Sequence, residues 1–363
     1  MKKNKFSNFY YKKKILVTGH TGFVGSWLCF ILKSFGAEII GVSLKPQERL
    51  NNFDILKIKK IIKKNYFINI LDNKKLLTIF KKTKPDILFH LAAQPYVIDG
   101  YKNPRKTIET NLNGTFNILE SIKKYNVKHN VIITTDKVYE NLENKNFFKE
   151  SDKLGGKDIY SSSKAACELI CESYFHSFLK KKSIHLDTVR AGNIIGGGDF
   201  GKNRIIPDIV KSIINNKKIY IRSPNSIRPW QYIFDICFGY LEIPINQKKR
   251  KELKESWNLG PNKKDSKISV RKIVQLFKKE FKKNFLFEIK KMKYQESIFL
   301  MLDSRKSKSK LGWEPKFNFT ESINHTVGWY KVLFNKPKEI LIYSEKILED
   351  YKKKFFIDRY NKK

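Results

Sequence analysis

Between Lys14 and Phe35 the chain passes from a β-branched apolar run, Lys14-Ile15-Leu16-Val17-Thr18, through Gly19-His20-Thr21-Gly22-Phe23-Val24-Gly25 into a segment with helical spacing. A strand that turns on three spaced glycines into a helix has few uses. Gly19 permits the tight turn, Gly22 lets backbone approach a phosphate, and Gly25 lets the helix pack close to the strand with its N-terminus facing an anion. That is what a dinucleotide pyrophosphate needs, and it makes Thr21, Phe23 and Val24 of the same turn cofactor contacts as well. The spacing is G-x-x-G-x-x-G, with one more residue between the first two glycines than in the commoner fingerprint.

Further strands and helices alternate after this unit. Glu38 to Ser43 reads as a second strand whose end reaches the adenosine ribose. An acidic residue there would bond the 2′-hydroxyl of NAD and an arginine would favour NADP; the chain has Ser43, which leaves the choice open locally. Residues 67–72 read as a third strand and its exit, placing Asn69 and Ile70 beside adenine. Asp86 to Gln94 reads as a fourth strand ending in Leu91, Ala92, Ala93 and Gln94, where small side chains let backbone pass close to a cofactor. Pro104 opens a helix that carries Asn111. Val131 to Ile133 and His185 to Arg190 supply two more strands. Such alternation implies parallel β-α-β units and a doubly wound sheet. The expected fold is α/β, Rossmann-type, with a smaller C-terminal α/β substrate-binding domain. Residues 14–190 with parts of 233–260 are assigned to the cofactor domain, 191–232 and 261–335 to the substrate region, and 336–363 to a peripheral helix or tail.

Ligands of such sheets bind beyond the carboxyl ends of the strands. The fifth strand delivers Thr134-Thr135-Asp136-Lys137 to that edge, and a loop later comes Tyr160-Ser161-Ser162-Ser163-Lys164. Four residues apart on a helix, Tyr160 and Lys164 share a face, so the ammonium is expected to favour the phenolate and bring the tyrosine pKa down from about 10. Alone, Y-x-x-x-K is a weak signal. Its place beside Gly19, Ala92 and Thr135 makes it an acid/base device.

Beyond residue 190 the alternation lapses into polar segments suited to close over a substrate: Asn193, Arg204 and Ile206, Arg222, then Arg228 and Gln231. Arginines beside aromatic residues suit a nucleoside diphosphate. The formal charge of +39 rests on 74 Lys and Arg, of which ten are Arg. A dispersed, lysine-dominated excess fits a solvated surface better than a nucleic-acid reader, which favours arginine. Cys29, Cys167, Cys171 and Cys237 have no paired C-x-x-C spacing and read as buried thiols, and no metal site is expected. The basic N-terminus lacks the apolar stretch of a secretory signal and no run reaches the length of a membrane span, so a cytoplasmic location is expected.

Together, Gly19 to Phe23, His90 to Pro95, Thr135 to Lys137, Leu154 to Gly156, Tyr160 to Lys164, Arg190 to Asp199, Arg204 to Asp208 and Ile227 to Gln231 resemble the extended short-chain dehydrogenase/reductase family. Among its branches they are most similar to the CDP-glucose 4,6-dehydratases, of deoxysugar and O-antigen synthesis. The resemblance runs from about Lys14 to about Tyr351. It implies NAD as cofactor, CDP-glucose or a related nucleotide sugar as substrate, and a homodimer or dimer of dimers through the Asn111 and Tyr160 helices. It further implies that Tyr160, assisted by Lys164, takes the proton of the glucose 4-hydroxyl, and that Thr135 and Gln94 contact the sugar. Asp136 would protonate the leaving 6-hydroxyl and Lys137 would remove the C5 proton. Related dehydratases have a glutamate at the position of Lys137, and a lysine base must be neutral to act. A sugar-nucleotide 4-epimerase or reductase of the same family is the alternative, and a non-catalytic RNA-binding scaffold a remote one.

Overall fold

The computed structural model describes residues 4–143, 146–215, 217–282, 287–289 and 297–360. Its centre is one sheet of seven strands, β1 (Lys14–Thr18), β2 (Glu38–Ser43), β3 (Lys64–Phe67), β4 (Ile87–His90), β5 (His129–Ile133), β6 (His185–Ala191) and β7 (Lys254–Leu259). Their spatial order is β7-β6-β5-β4-β1-β2-β3, and every pairing is parallel. The order reverses between β1 and β4, which is where a doubly wound sheet opens its ligand crevice.

A parallel sheet covered on both faces needs apolar residues at every strand position. β1 illustrates this: Ile15 and Val17 enter a core with Trp27, Leu28, Phe234 and Tyr351, while Leu16 enters the opposite one with Ile40, Leu76, Ile118 and Leu119. The first core lies under the Phe23–Ser34 and Ile233–Gln247 helices, and the second under the Asn73–Thr83, Gly114–Tyr125 and Ile159–Tyr174 helices. Beyond β6, short strand pairs join Ile194–Ile195 to Gln231–Tyr232 and Ile227–Arg228 to Ile268–Ser269. The Ile205–Ile214 and Val270–Phe281 helices accompany them.

Three local readings change. The third strand lies earlier than residues 67–72, because Phe67 is its last residue, paired with Ser43. The stretch that follows is apolar for a different reason. Ile70 is buried under Gly114, and Asn69 Oδ1 accepts the Leu71 N–H at 3.0 Å, which turns the chain away from the sheet. The fourth strand stops at His90, since the N–H groups of Leu91 and Ala92 turn to the Thr18 hydroxyl, each at 3.1 Å. The Lys-rich C-terminal segment is helical over Ile340–Tyr360, yet its Tyr351 and Phe355 are buried. Tyr351 donates to Asp235 at 2.6 Å, and Phe355 stacks among Phe6 and Phe238. An N-terminal helix, Lys5–Tyr10, supplies Phe6 to the same cluster and was not apparent from its basic sequence. The four cysteines are buried free thiols. Among the described residues no helix is long and apolar enough to cross a membrane.

Candidate active site

The glycine turn leaves β1 and enters the Phe23–Ser34 helix with Gly22 as N-cap and no side chain capping the helix. Gly19 has φ +72°, and a Cβ there would stand 2.8 Å from the Ala92 nitrogen. A Cβ on Gly25 would stand 2.2 Å from the Gly19 carbonyl oxygen. Turn, helix and β4 exit are therefore packed backbone to backbone, leaving uncapped helix N–H groups for an anion. The residues present fit a dinucleotide pyrophosphate. Gly25→Ala must push turn and helix apart, at a cost of about 1–3 kcal/mol by the overpacking rule. The expected result is a lower melting temperature together with lost NAD binding in calorimetry. Unchanged NAD affinity would sink this account of the turn.

Along the same edge, the Thr21 hydroxyl lies 2.8 Å from that of Ser43 and donates to the Leu44 carbonyl at 3.0 Å. Asn69 follows at the exit of β3. Asn111, in a π-helical turn over Glu109–Asn113, was expected to touch cofactor. Its amide is instead occupied by the protein. Oδ1 accepts the Gln94 N–H at 2.8 Å, and Nδ2 donates to the Gln94 carbonyl at 3.2 Å and the Ser163 hydroxyl at 2.9 Å. Asn111 thus pins the β4 exit to the Tyr160 helix. Gln94 is likewise spent locally, donating to Thr107 at 2.7 Å and to the Tyr96 carbonyl at 3.1 Å.

A cavity of about 340 Å³ opens over the ends of β4, β5 and β6. Phe23, Val24, Leu91, Ala93, Thr135, Asp136, Lys137, Tyr160 and Lys164 all border it. Two residues beyond β5, Thr135 has extended backbone and caps a single 3-10 turn, Asp136–Val138. Asp158 caps the Ile159–Tyr174 helix, accepting from the Ser161 N–H at 3.0 Å, which sets Tyr160 in the first turn above Thr135. The two polar groups that the sequence separates by a loop do meet.

Their electrostatics depart from expectation. Burial dominates at Tyr160 and pushes its pKa up to about 12; a hydrogen bond with Thr135 pulls it down and the Asp136 charge adds to the rise. The expected help from Lys164 is absent, because the Lys164 ammonium is turned onto the Ile133 carbonyl at 2.9 Å, and burial lowers its own pKa. Asp136 is buried, which raises its carboxyl to about 6 against the pull of Lys137, Thr135 and Arg228. Its Oδ1 accepts from Thr135 at 3.0 Å, while Oδ2 is buried with no hydrogen-bond partner. A carboxyl that keeps its proton up to about pH 6, with one oxygen unclaimed, is equipped to give that proton up.

The remaining wall carries Asn193, Arg204, Ile206, Arg222 and Arg228. Arg204 pairs with Asp199 at 3.3 Å and lies over the Tyr96 ring at 5.0 Å. Arg222 donates to the Asn203 carbonyl at 2.5 Å, and Arg228 to the carbonyls of Ile227 and Ile298 at 3.0 and 3.3 Å. Gln231 does not join them: it is buried off the cavity wall with both amide atoms unpartnered, its backbone N–H donating to the Asn193 carbonyl at 2.9 Å. Sequence reasoning missed Asp199, Asp208 and Tyr96 in the cavity, and Glu168 beneath it. Glu168 had a signal, one helical turn beyond Lys164 on the Tyr160 face. Tyr96 and Asp199 sit in loops with no periodicity to read, and Asp208 sits on the Ile205–Ile214 helix, whose period does not show that it faces a cavity.

A family model described as GDP-mannose 4,6 dehydratase matches residues 16–326. The CDP-glucose 4,6-dehydratase of Salmonella typhimurium is 36% identical over 354 residues, covering 95% of this chain and 97% of that enzyme. Among solved structures, the dTDP-glucose 4,6-dehydratase of Bacillus anthracis in complex with NAD has a TM-score of 0.75 at 24% identity, covering 90% of this chain and 98% of that one. The UDP-glucose 4-epimerase of Thermotoga maritima also has a TM-score of 0.75, at 22% identity, covering 88% and 99%. These two establish likeness of fold.

Proposed function

The chain belongs to the GDP-mannose 4,6 dehydratase family, and on that premise we propose that it is an NAD-dependent nucleotide-sugar 4,6-dehydratase acting on CDP-D-glucose. The product is CDP-4-keto-6-deoxy-D-glucose, with loss of water. The observation that carries the reading is the Asp136-Lys137 pair beside Tyr160 in one cavity. C4 epimerisation moves no proton at C5, so an epimerase has no task for that pair.

Bound in the glycine cradle, NAD would accept the C4 hydride and later return it at C6. The chain's own residues handle the protons. Tyr160 takes the proton of the 4-hydroxyl while Thr135 holds the oxygen. The resulting C4 ketone acidifies the C5 hydrogen, and Lys137 removes it. Asp136 delivers its proton to the departing 6-hydroxyl, which leaves as water. Lys137 then returns a proton to C5 as C6 is reduced. Arg204, Arg222 and Arg228 are the cations available to the diphosphate, and Arg204 exchanges part of its Asp199 contact for phosphate oxygen.

The test is incubation with CDP-, dTDP-, UDP- and GDP-glucose while following the 4-keto-6-deoxy chromophore. Formation from CDP-glucose supports the full assignment. Formation from another nucleotide alone would retain the reaction and overturn the substrate, and 4-epimerised product without deoxygenation would favour the epimerase.

A homodimer through the Asn111 and Tyr160 helices belongs to this reading. It is supported by large apolar side chains left in water there: Ile108 at 41%, Phe116 at 42% and Leu169 at 59% exposure. Large apolar side chains left exposed along these helices fit burial against a second copy of the chain. Leu169→Glu is expected to shift the protein from dimer to monomer in light scattering, and a variant that stays dimeric would place the interface elsewhere.

A further inference from the structure

Three carboxylates border the cavity, Asp136, Asp199 and Asp208. A pocket that receives a diphosphate gains nothing from a bare carboxylate beside its arginines, so each carboxylate needs a donor. Asp136 accepts from Thr135 and belongs to the chemistry. Asp199 accepts the Gly201 N–H at 3.0 Å and is paired with Arg204. Asp208 stands apart. Its backbone is fixed in the first turn of the Ile205–Ile214 helix, where its N–H donates to the Arg204 carbonyl at 3.0 Å. Half-burial raises its pKa, and among the described residues its carboxylate feels the longer-range charges of Arg222, Lys211 and Asp199.

On the sugar end, Thr135, Asp136 and Tyr160 fix where the hexose lies, and the diphosphate carries charge that Asp208 repels. The donors left on a nucleotide sugar are the ribose hydroxyls and the edge of the base. The Ile205–Ile214 helix that carries Asp208 packs against the Ile219–Ile221 strand, and Tyr220 on that strand and Arg222 just beyond it line the cavity with Asp208. The Tyr220 side chain is 55% exposed, offering a ring face for a base to stack on. We propose that Asp208 selects the nucleobase by accepting a hydrogen bond from the exocyclic 4-amine of cytosine. Uracil and thymine present a carbonyl at that position, and two acceptors facing each other repel. The inference rests on the nucleotide-sugar reading above and assigns to one residue the choice among its nucleotides.

The experiment compares kcat/KM of wild type and Asp208→Asn on CDP-, UDP-, dTDP- and GDP-glucose, with calorimetric Kd values for CDP and UDP on both proteins. An asparagine amide can present a donor to a 4-carbonyl. The variant keeps an amide oxygen that accepts from a 4-amine but loses the charge assistance, so it should lose up to about 10-fold on CDP-glucose while gaining on UDP- and dTDP-glucose. The Kd ratio of CDP to UDP should collapse in parallel. An equal loss on all four substrates would assign Asp208 to the ribose or to the arginine wall and overturn the proposal. So would an unchanged CDP preference, or a wild-type preference for guanine. Should wild type turn over none of the four, the dehydratase reading fails, and the Kd ratios still decide for or against Asp208.

Discussion

Lys137→Ala is expected to halt exchange of the substrate C5 hydrogen with solvent while C4 oxidation continues. The two half-reactions use different side chains, so they should separate. Tyr160 and Lys164 serve the oxidation, and Lys137 and Asp136 serve the elimination, from the short turn that caps β5. Removal of a positioned base or acid costs about 10²- to 10⁴-fold. Overall turnover of Lys137→Ala and of Asp136→Asn should fall by that factor, and reduced nicotinamide should accumulate in single-turnover absorbance. The pH dependence divides in the same way. Burial holds the Asp136 carboxyl at about 6, so the proton it must give is present below that pH and is lost above it. The pH profile of the elimination step should carry an inflection at about pH 6 that Asp136→Asn removes. Burial pushes Tyr160 up to about 12, so its proton-accepting form becomes commoner as pH rises and the oxidation step should climb. An inflection at about pH 6 confined to the elimination step is the signature. Normal C5 exchange in Lys137→Ala, or the same inflection in Asp136→Asn, would remove Lys137 and Asp136 from these roles.

How much of this the sequence discloses depends on the kind of signal. β1, its glycine turn and the following helix are legible because period, length and glycine spacing agree, and backbone contact leaves no alternative residue at Gly19 or Gly25. The meeting of Thr135 with Tyr160 is legible from topology, since both leave the same edge of a parallel sheet. Charge state is not. An i, i+4 spacing brings Lys164 near Tyr160, but which acceptor the ammonium prefers depends on the Ile133 carbonyl, which belongs to another element. The amides of Gln94 and Asn111 are engaged by neighbouring groups for a similar reason: sequence does not record what surrounds an amide. The substrate wall is least legible. Its residues come from loops, short strands and one helix, and nothing in the sequence separates a paired carboxylate such as Asp199 from Asp208, which has no ion pair among the described residues.

Arg190→Ala is expected to destabilise the protein by about 3–5 kcal/mol, because it strands a buried carboxylate. Glu168 and Arg190 are almost fully buried and joined at 2.9 and 3.1 Å. Each also reaches the reacting loop. Glu168 accepts from Thr134 at 2.5 Å and from Thr188 at 2.6 Å, and Arg190 donates to the Tyr139 hydroxyl at 2.9 Å and the Glu150 carbonyl at 3.0 Å. The pair therefore grips Thr134 and Tyr139, the two flanks of Thr135-Asp136-Lys137, Glu168 from the helix that bears Tyr160 and Lys164 and Arg190 from β6. Replacing both partners with apolar residues of similar volume removes the stranded charge, so Glu168→Met/Arg190→Met should recover most of the stability in urea melts. It should not recover turnover, because nothing then fixes the flanks of the acid/base turn, and misplacement by about 1 Å costs on the order of 10²-fold. Stability and activity are thus predicted to part in the double variant. Full turnover there would reduce the pair to a structural ion pair, and a double variant as unstable as Arg190→Ala would mean that shape, not charge, is what the core requires at these two positions.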